Sequence, residues 1–311
     1  MKSPEVSIVI VNWNGRELLE DCLYSIEENT PDLSYEVCVV DNASDDGSVK
    51  MIRERFPRVR LIQNEGNFGF AKACNRGFTE CGDTPFVLFL NPDTRVSQGS
   101  VARLVECLKT QSDVGASTCA LLDGRGRFQS GQGLRLLTLR TAINQYFFLN
   151  SLSQSLFPGV FWARLPKGQR DVEWISGAVM MVRRSAVGPA PFFNERYFMY
   201  AEDMEASKTL RESGWRLAFL ADVFMTHHMK TSTRKSGTRV FASQVVSQAV
   251  YIERNLPPWQ RPLVKASMAA GYALRWLVYA FLSLWRRSPD DALRRRDHRA
   301  YLMTLLRSEV A

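Results

Sequence analysis

Residues 87–93 read Val-Leu-Phe-Leu-Asn-Pro-Asp, four apolar residues running directly into Asn91, Pro92 and Asp93. A short continuous apolar run is consistent with a buried strand. Pro92 ends it, because proline has no N–H for the ladder and biases the residue before it away from helix. The strand therefore delivers the Asp93 carboxylate to the rim of a sheet, facing a crevice. Asn, Pro and Asp are also common turn formers for purely local reasons, so in isolation the segment reads as a strand-ending turn. Its neighbours give it a larger meaning.

Upstream, residues 6–15 (VSIVIVNWNG) and 35–48 (YEVCVVDNASDDGS) are two apolar, β-branched runs, each ending in a polar, turn-forming cluster. Both read as buried parallel strands. Between them, Leu18, Leu19, Cys22, Leu23 and Ile26 recur at helical spacing over residues 17–29, with Asn14 as the expected cap and Thr30-Pro31 as the stop. A second helix is expected after Asp46 and ends near Pro57. A third strand over 59–63 leads to NEGNFGFAKACNRG at 64–77. Strands alternating with helices through short links predict an α/β fold with an open sheet, whose ligands bind outside the carboxyl ends of the strands. Asp41 and Asp93 both stand at such ends.

Five segments, in order, resemble the inverting glycosyltransferases of family 2, and among them the rhamnosyltransferase-like subgroup. They are VSIVIVNWNG, VVDNASDDGS, GNFGFAKACNRG, LFLNPD, and a block from WISGAVMMVRRS through FFNERYFMYAEDMEASKTLRESGW to His227-His228. Together they span residues 5–235. The resemblance implies a GT-A fold: a Rossmann-like mixed, mostly parallel sheet flanked by helices. Residues 1–120 would form the nucleotide-sugar half and 121–235 the acceptor half, with 236–311 a basic C-terminal helical extension.

Carried over residue by residue, the resemblance places Asn12, Asn14 and Asp41 at the donor nucleotide, where Asp41 accepts from the ring N–H of a pyrimidine. Asp46 stays with helix capping. Asn67, Gly69 and Asn75 fall in the nucleotide-sugar loop, with Phe68 and Phe70 expected in the core. The family's Asp-any-Asp metal motif begins here with Asn91, a neutral amide. Asp93 is then the main anionic ligand for a divalent cation, Mg²⁺ or Mn²⁺, and the Asn-Pro-Asp form is usual in the subgroup. His227 reaches back to the cation or the diphosphate. Met229-Lys230 replaces the usual Gly-Gly, and Lys230, Arg234 and Lys235 are further candidate diphosphate contacts. Ser176 and Gly177 lie beside the donor sugar. Glu202 and Asp203 by themselves read as an acidic helix start. The resemblance makes Asp203 the general base and lets Glu202 shape the acceptor pocket. Residues 128–173 are less family-like and read as an acceptor-side insertion.

The donor implied is dTDP-L-rhamnose and the acceptor a polyprenyl-linked or polysaccharide glycan. A UDP-sugar donor is the runner-up, and a non-catalytic nucleotide-sugar-binding scaffold is the reading from another class. A chain of 311 residues with 45% hydrophobic content can bury a full core. Six cysteines without a Cys-x-x-Cys motif point to reduced buried thiols. The first strand follows Met1 so closely that no signal peptide is expected, which predicts a cytoplasmic protein. The net charge of +8 is concentrated at the end of the chain, where residues 254–311 hold eleven lysines and arginines against four acids. Within that stretch, residues 274–285 (LRWLVYAFLSLW) are too short to span a bilayer and suit an interfacial helix on the inner membrane face, with arginines on anionic lipid. The alternative is a helical pair closing over the catalytic domain. A nucleic-acid partner is not expected, because the basic cluster lacks any recognisable module.

Overall fold

The computed structural model describes residues 3–130, 132–188, 191–228, 238–286 and 289–308. Its first half is the expected strand–helix alternation: β1 (Val6–Asn12), α1 (Arg16–Asn29), β2 (Tyr35–Asp41), α2 (Ser48–Arg55), β3 (Arg60–Gln63), α3 (Phe70–Glu80) and β4 (Phe86–Leu90). β4 stops at Leu90, before Pro92, so Asn91–Asp93 leave the sheet as a turn, and β5 (Thr94–Arg95) follows at once. One expected contact differs. Asn14 does not cap α1: it adopts left-handed backbone at φ 52°, and its Oδ1 accepts from Asp45 N at 2.9 Å. Asp46 takes that duty from across the loop. It accepts from Arg16 N at 2.8 Å and from Ser48 N at 3.0 Å, and so serves the starts of both α1 and α2.

The second half adds α4 (Ser100–Thr110), β6 (Val114–Leu122), α5 (Leu139–Tyr146), α6 (Leu149–Leu152), β7 (Gln169–Val172), β8 (Val179–Arg183), α7 (Glu202–Glu212) and β9 (Arg216–His227). The nine strands form one sheet in the order β3-β2-β1-β4-β8-β6-β9-β5, with β7 on β9. β1, β2, β3, β4, β6 and β9 run one way, and β5, β7 and β8 run against them, so the sheet is mixed and mostly parallel. Its two faces hold separate apolar clusters. Ile8, Ile10, Leu19, Leu88 and Leu104 pack on one, and Val9, Val40, Phe89, Phe193 and Phe219 on the other. Burial on both faces explains why these strands read as unbroken apolar runs. All six cysteines are free and buried.

Three helices close the chain: α8 (Thr238–Asn255), α9 (Gln260–Arg286) and α10 (Pro289–Ser308). They do not stand apart. Val245, Tyr251, Ile252, Val264, Met268, Tyr272 and Leu305 share a third buried cluster with Tyr146, Trp174, Tyr197, Ala201 and Met204 of the preceding region. Arg275, expected at a surface, points inward. It donates to the carbonyls of Gln145 (2.7 Å) and Tyr146 and lies 4.0 Å over the Phe148 ring, because this part of α9 is packed against the end of α5. Among the described residues no helix is long and apolar enough to cross a membrane.

Candidate active site

Four strands that point the same way bring their carboxyl ends to one rim, and the predicted residues sit on them. Asn12 ends β1, Asp41 ends β2, Asn91 and Asp93 follow β4, and His227 ends β9. At the β1–β2 end of the rim, Asp41 is almost fully buried. Its Oδ1 accepts from Asn12 Nδ2 at 2.9 Å and its Oδ2 from Ser44 N at 2.8 Å. Asn67 Oδ1 folds back on Gly69 N at 3.0 Å and receives Asn42 Nδ2 at 3.3 Å. Gly69 has φ 84°, and a Cβ there would meet Phe198 O at 2.3 Å, so both the turn and the close approach require glycine. That turn throws Phe68 outward, 42% exposed beneath the Lys72 ammonium, against the expectation of a core residue. Phe70 is half-buried as expected.

Asn75 is the predicted donor residue that the fold commits elsewhere. It donates to Phe193 O at 2.7 Å and accepts from Phe193 N at 2.9 Å, clamping the loop before α7. Lys230, Arg234 and Lys235 lie outside the described residues.

At the centre, Asp93 Oδ1 stands 3.1 Å from His227 Nε2, and Asn91 Nδ2 lies 3.4 Å from the same nitrogen. Both Asp93 and His227 are buried. Backbone pairing holds them together: Thr94 pairs with His227 across β5 and β9, and His228 N donates to Asp93 O at 2.8 Å. Among the described residues no group of three His, Cys, Asp or Glu converges into a closed metal cage. A carboxylate, an imidazole and a nearby amide make an open donor set. That is the kind of set suited to a hard cation that takes its remaining ligands from phosphate oxygens and water.

Opposite stands the start of α7. Asp203 Oδ2 accepts from Gly177 N at 2.9 Å and Oδ1 from Met204 N at 2.8 Å, which fixes the carboxylate in one orientation. The same short segment reaches the end of β4, since Ala178 O accepts from Asn91 N at 3.0 Å. Gly177 lets the two sides close: a Cβ there would press on Phe70 at 3.1 Å and lie 3.7 Å from Asp203 Cβ. Ser176 is half-buried beside it. Burial pushes Asp203 up to about 6, although the two N–H groups oppose the shift. Glu202 is pushed well above the carboxylate range by burial and then by the Asp203 charge. The two residues before α7, Tyr200 and Ala201, both have left-handed backbone at φ 72° and 66°. Such strain in non-glycine residues concentrates at functional sites. Burial first, and then the charges of Glu202, Asp93 and Asp203, raise Tyr200 to about 12.

Sequence reasoning missed Asn42, Ser44, Tyr200 and Gln129. Gln129 Nε2 donates to His227 O at 2.5 Å while its Oε1 meets His227 Nδ1 at 3.1 Å. The available signal was Asp123-Gly-Arg-Gly-Arg, a tight reversal that returns the chain along β6. Five buried side-chain polar atoms among the described residues have no hydrogen-bond partner, and three of them are Asn12 Oδ1, Thr94 Oγ1 and Glu202 Oε2. Unpaired buried polar atoms are rare in folded proteins, and these three belong to the end of β1, the start of β5 and the start of α7, where a ligand or water would satisfy them.

A carboxylate held on a helix start is thus tied, through Gly177 and Ala178, to an acid–imidazole pair at the ends of parallel strands, the rim where open α/β sheets bind ligands. The chain belongs to glycosyl transferase family 2, whose family profile matches residues 7–162. An N-acetylglucosaminyl-diphospho-decaprenol L-rhamnosyltransferase from Mycobacterium tuberculosis is 26% identical over 289 residues, covering 86% of this chain and 90% of that protein. Rhamnosyltransferase WbbL from Escherichia coli K12 is 23% identical over 259 residues, covering 80% of this chain and 93% of that one. Among solved structures, the mannosyltransferase PcManGT from Pyrobaculum calidifontis, in complex with GDP-Man and Mn²⁺, superimposes with a TM-score of 0.58 at 19% identity. It covers 100% of this chain and 88% of that one, which bears out the GT-A fold. The protein is therefore a glycosyltransferase.

Proposed function

We propose that the protein transfers L-rhamnose from dTDP-L-rhamnose to a polyprenyl-linked glycan precursor, with inversion at the anomeric carbon. The observation that carries the chemistry is the tethered Asp203 carboxylate, linked through Gly177 and Ala178 to Asn91 beside the Asp93–His227 pair. The names of two rhamnosyltransferase relatives, each matched over most of its length, support the sugar. The lipid-linked acceptor named for the mycobacterial relative supports the acceptor class.

In this reading Asp203 accepts the proton of an acceptor hydroxyl as that oxygen bonds to the anomeric carbon. The bond from that carbon to the diphosphate breaks on the opposite face, and the electron pair leaves with the diphosphate. Gly177 N and Met204 N each bond one oxygen of the base, which leaves each oxygen a further lone pair to take the proton. Asp93 and His227, with the Asn91 amide, would hold a divalent cation, which when bound supplies positive charge against the departing diphosphate. The Mn²⁺ in the PcManGT complex supports that assignment. Asp41, Asn12 and Asn67 would bind the nucleotide. The protein would work as a peripheral protein on the inner membrane face, where such an acceptor is presented.

A panel of nucleotide sugars, read by thermal shift with and without Mn²⁺, tests the donor. A ligand present at about a hundred times its dissociation constant stabilises by about 2.7 kcal/mol. dTDP-L-rhamnose should give the largest shift and be turned over, whereas turnover of a UDP-sugar in its place overturns the rhamnose assignment. Asp93→Asn should abolish turnover and leave thermal stability within about 1 kcal/mol, since the swap keeps the side chain's size and polarity. Retained turnover in that variant would remove Asp93 from the site.

A further inference from the structure

His227 has two ring nitrogens, and the fold assigns them different tasks. Gln129 can be oriented without ambiguity, because its Nε2 donates to the His227 carbonyl at 2.5 Å. Its Oε1 is therefore the atom 3.1 Å from His227 Nδ1. A carbonyl oxygen only accepts, so Nδ1 carries the proton. On the other side of the ring the neighbour at 3.4 Å is the Asn91 amide nitrogen, a donor, which again leaves Nε2 as the acceptor. The Nε2 lone pair of a neutral His227 then faces Asp93 Oδ1 at 3.1 Å. Two acceptors at that distance repel unless positive charge lies between them.

Without Gln129 the imidazole has an easier arrangement. It can move its proton to Nε2, donate to Asp93 and close the pair on itself, with no lone pair left for a ligand. We propose that Gln129 is a positioning residue that locks His227 in the Nδ1–H form and so keeps the Nε2–Asp93 pair open for a divalent cation. This rests on the metal reading given above.

Gln129 is itself held rigidly. Its N–H donates to Leu121 O at 2.9 Å, and its carbonyl accepts from Gln132 Nε2 at 3.0 Å, with Gln132 buried. The turn before it is locked by Asp123, whose Oδ1 accepts from Arg125 N at 2.9 Å and Arg127 N at 3.0 Å. The hairpin off β6 thus carries a second-layer group to the end of β9, a chain separation of 98 residues. Outer partners of this kind fix both the tautomer and the ring orientation of metal-binding histidines.

Two measurements test it on the full chain. The first needs no metal. Long-range proton–nitrogen correlation spectra of nitrogen-15-histidine protein, recorded alkaline of the imidazole titration, should show His227 protonated at Nδ1. With three histidines in the chain, the His227→Gln spectrum assigns the signal by its loss. An Nε2–H tautomer overturns the proposal. The second reads Mn²⁺ binding by electron paramagnetic resonance, with and without thymidine diphosphate. Gln129→Leu should weaken Mn²⁺ by about 10–100-fold, the usual cost of losing an outer partner. Gln129→Glu, which keeps the acceptor, should restore most of that loss. If His227→Ala weakens Mn²⁺ and Gln129→Leu does not, Gln129 has no such role. If His227→Ala binds Mn²⁺ as the wild type does, the metal reading itself falls, and the tautomer spectrum still decides what Gln129 does.

Discussion

Asp203 shows how a carboxylate can be both firmly held and reactive at neutral pH. Two N–H bonds favour its charged form, burial opposes it, and burial wins, leaving it at about 6. A base must be deprotonated to work, so turnover should fall as pH drops through about 6 and level off above it. Asp203→Asn keeps one of the two backbone bonds through its amide oxygen and turns its NH2 toward the other N–H. It should lower turnover by about 10²–10⁴-fold while donor affinity holds, and the acid limb of the pH profile should vanish from any residual activity. Lost donor affinity with the chemical step intact would make Asp203 a binding residue. The positions of Asp41 and Asp93 at strand ends, and of Asp203 at a helix start, were legible in the apolar patterns around them, whereas the roles proposed for them and for His227 came only with the family resemblance. Asn75 was misplaced for a physical reason. An asparagine in a glycine-rich loop carries the same polar groups whether it meets a ligand or a neighbouring backbone, and only the Phe193 clamp decides.

Among elements, α7 matters most, and its hold on the rest of the fold comes from the C-terminal helices. Glu205, three and two residues beyond Glu202 and Asp203, accepts from Tyr197 OH at 2.5 Å, Asn194 Nδ2 at 2.7 Å, Asn255 Nδ2 at 2.9 Å and Arg254 Nη2 at 3.1 Å. Ser247 Oγ donates to Met199 O at 2.7 Å, so α8 also braces the strained Tyr200–Ala201 step. Burial alone would raise Glu205, but the bonds from Arg254, Tyr197, Asn194 and Asn255 outweigh it and hold it at about 2. A depressed folded value means the stabilisation is present above the unfolded carboxylate range and is lost as pH falls through about 2. Glu205→Gln should therefore cost about 1.5–3 kcal/mol at neutral pH, the worth of a charged hydrogen bond. Denaturation midpoints should show that gap closing as the medium is acidified. A constant gap at all pH values would mean that shape, not charge, holds the joint. None of this was visible in the chain, where Glu205 and Arg254 are 49 residues apart and each reads as an exposed helix residue. The strand order was legible only in part. β-branched apolar runs announce buried strands, but the insertion of β8 and β6 between β4 and β9 depends on pairings that no local pattern encodes.

At the scale of the whole molecule, the basic tail divides into an inward and an outward share. Arg254, Arg261 and Lys265 are bound to Glu205 and Glu253, and Arg275 is buried against the end of α5. Facing outward are Leu274, Leu277, Val278, Phe281 and Trp285 of α9, a stripe at helical spacing in which Phe281 is 61% and Trp285 78% exposed. Phe147, Leu152, Leu156 and Phe157 are exposed as well, in the stretch whose Phe148 ring lies under Arg275 of α9. Large apolar side chains exposed in a row along one helix are a candidate interaction surface. The exposed arginines Arg294, Arg295, Arg296 and Arg299 follow on α10; Arg294 donates to Tyr279 OH at 3.1 Å, Arg295 reaches Ser283 Oγ at 3.5 Å, and Arg296 lies 3.8 Å from Asp297. A bilayer with anionic headgroups matches apolar residues beside arginines, each worth about 1 kcal/mol near such a surface. Replacing Arg295, Arg296 and Arg299 with Gln should then cut sedimentation with anionic vesicles, most strongly at low salt, where screening is weakest. Turnover on a water-soluble acceptor analogue should stay near the wild-type rate, since none of the three touches the site. Phe281→Ser with Trp285→Ser should cut sedimentation at every salt concentration, because the apolar contribution is not screened. Equal sedimentation of the unaltered protein with neutral and anionic vesicles at low salt would remove the arginines from the contact. Truncation after Arg254 cannot stand in for these variants: it strips Val264, Met268, Tyr272 and Leu305 from the cluster behind α7, and the remainder should fail to fold.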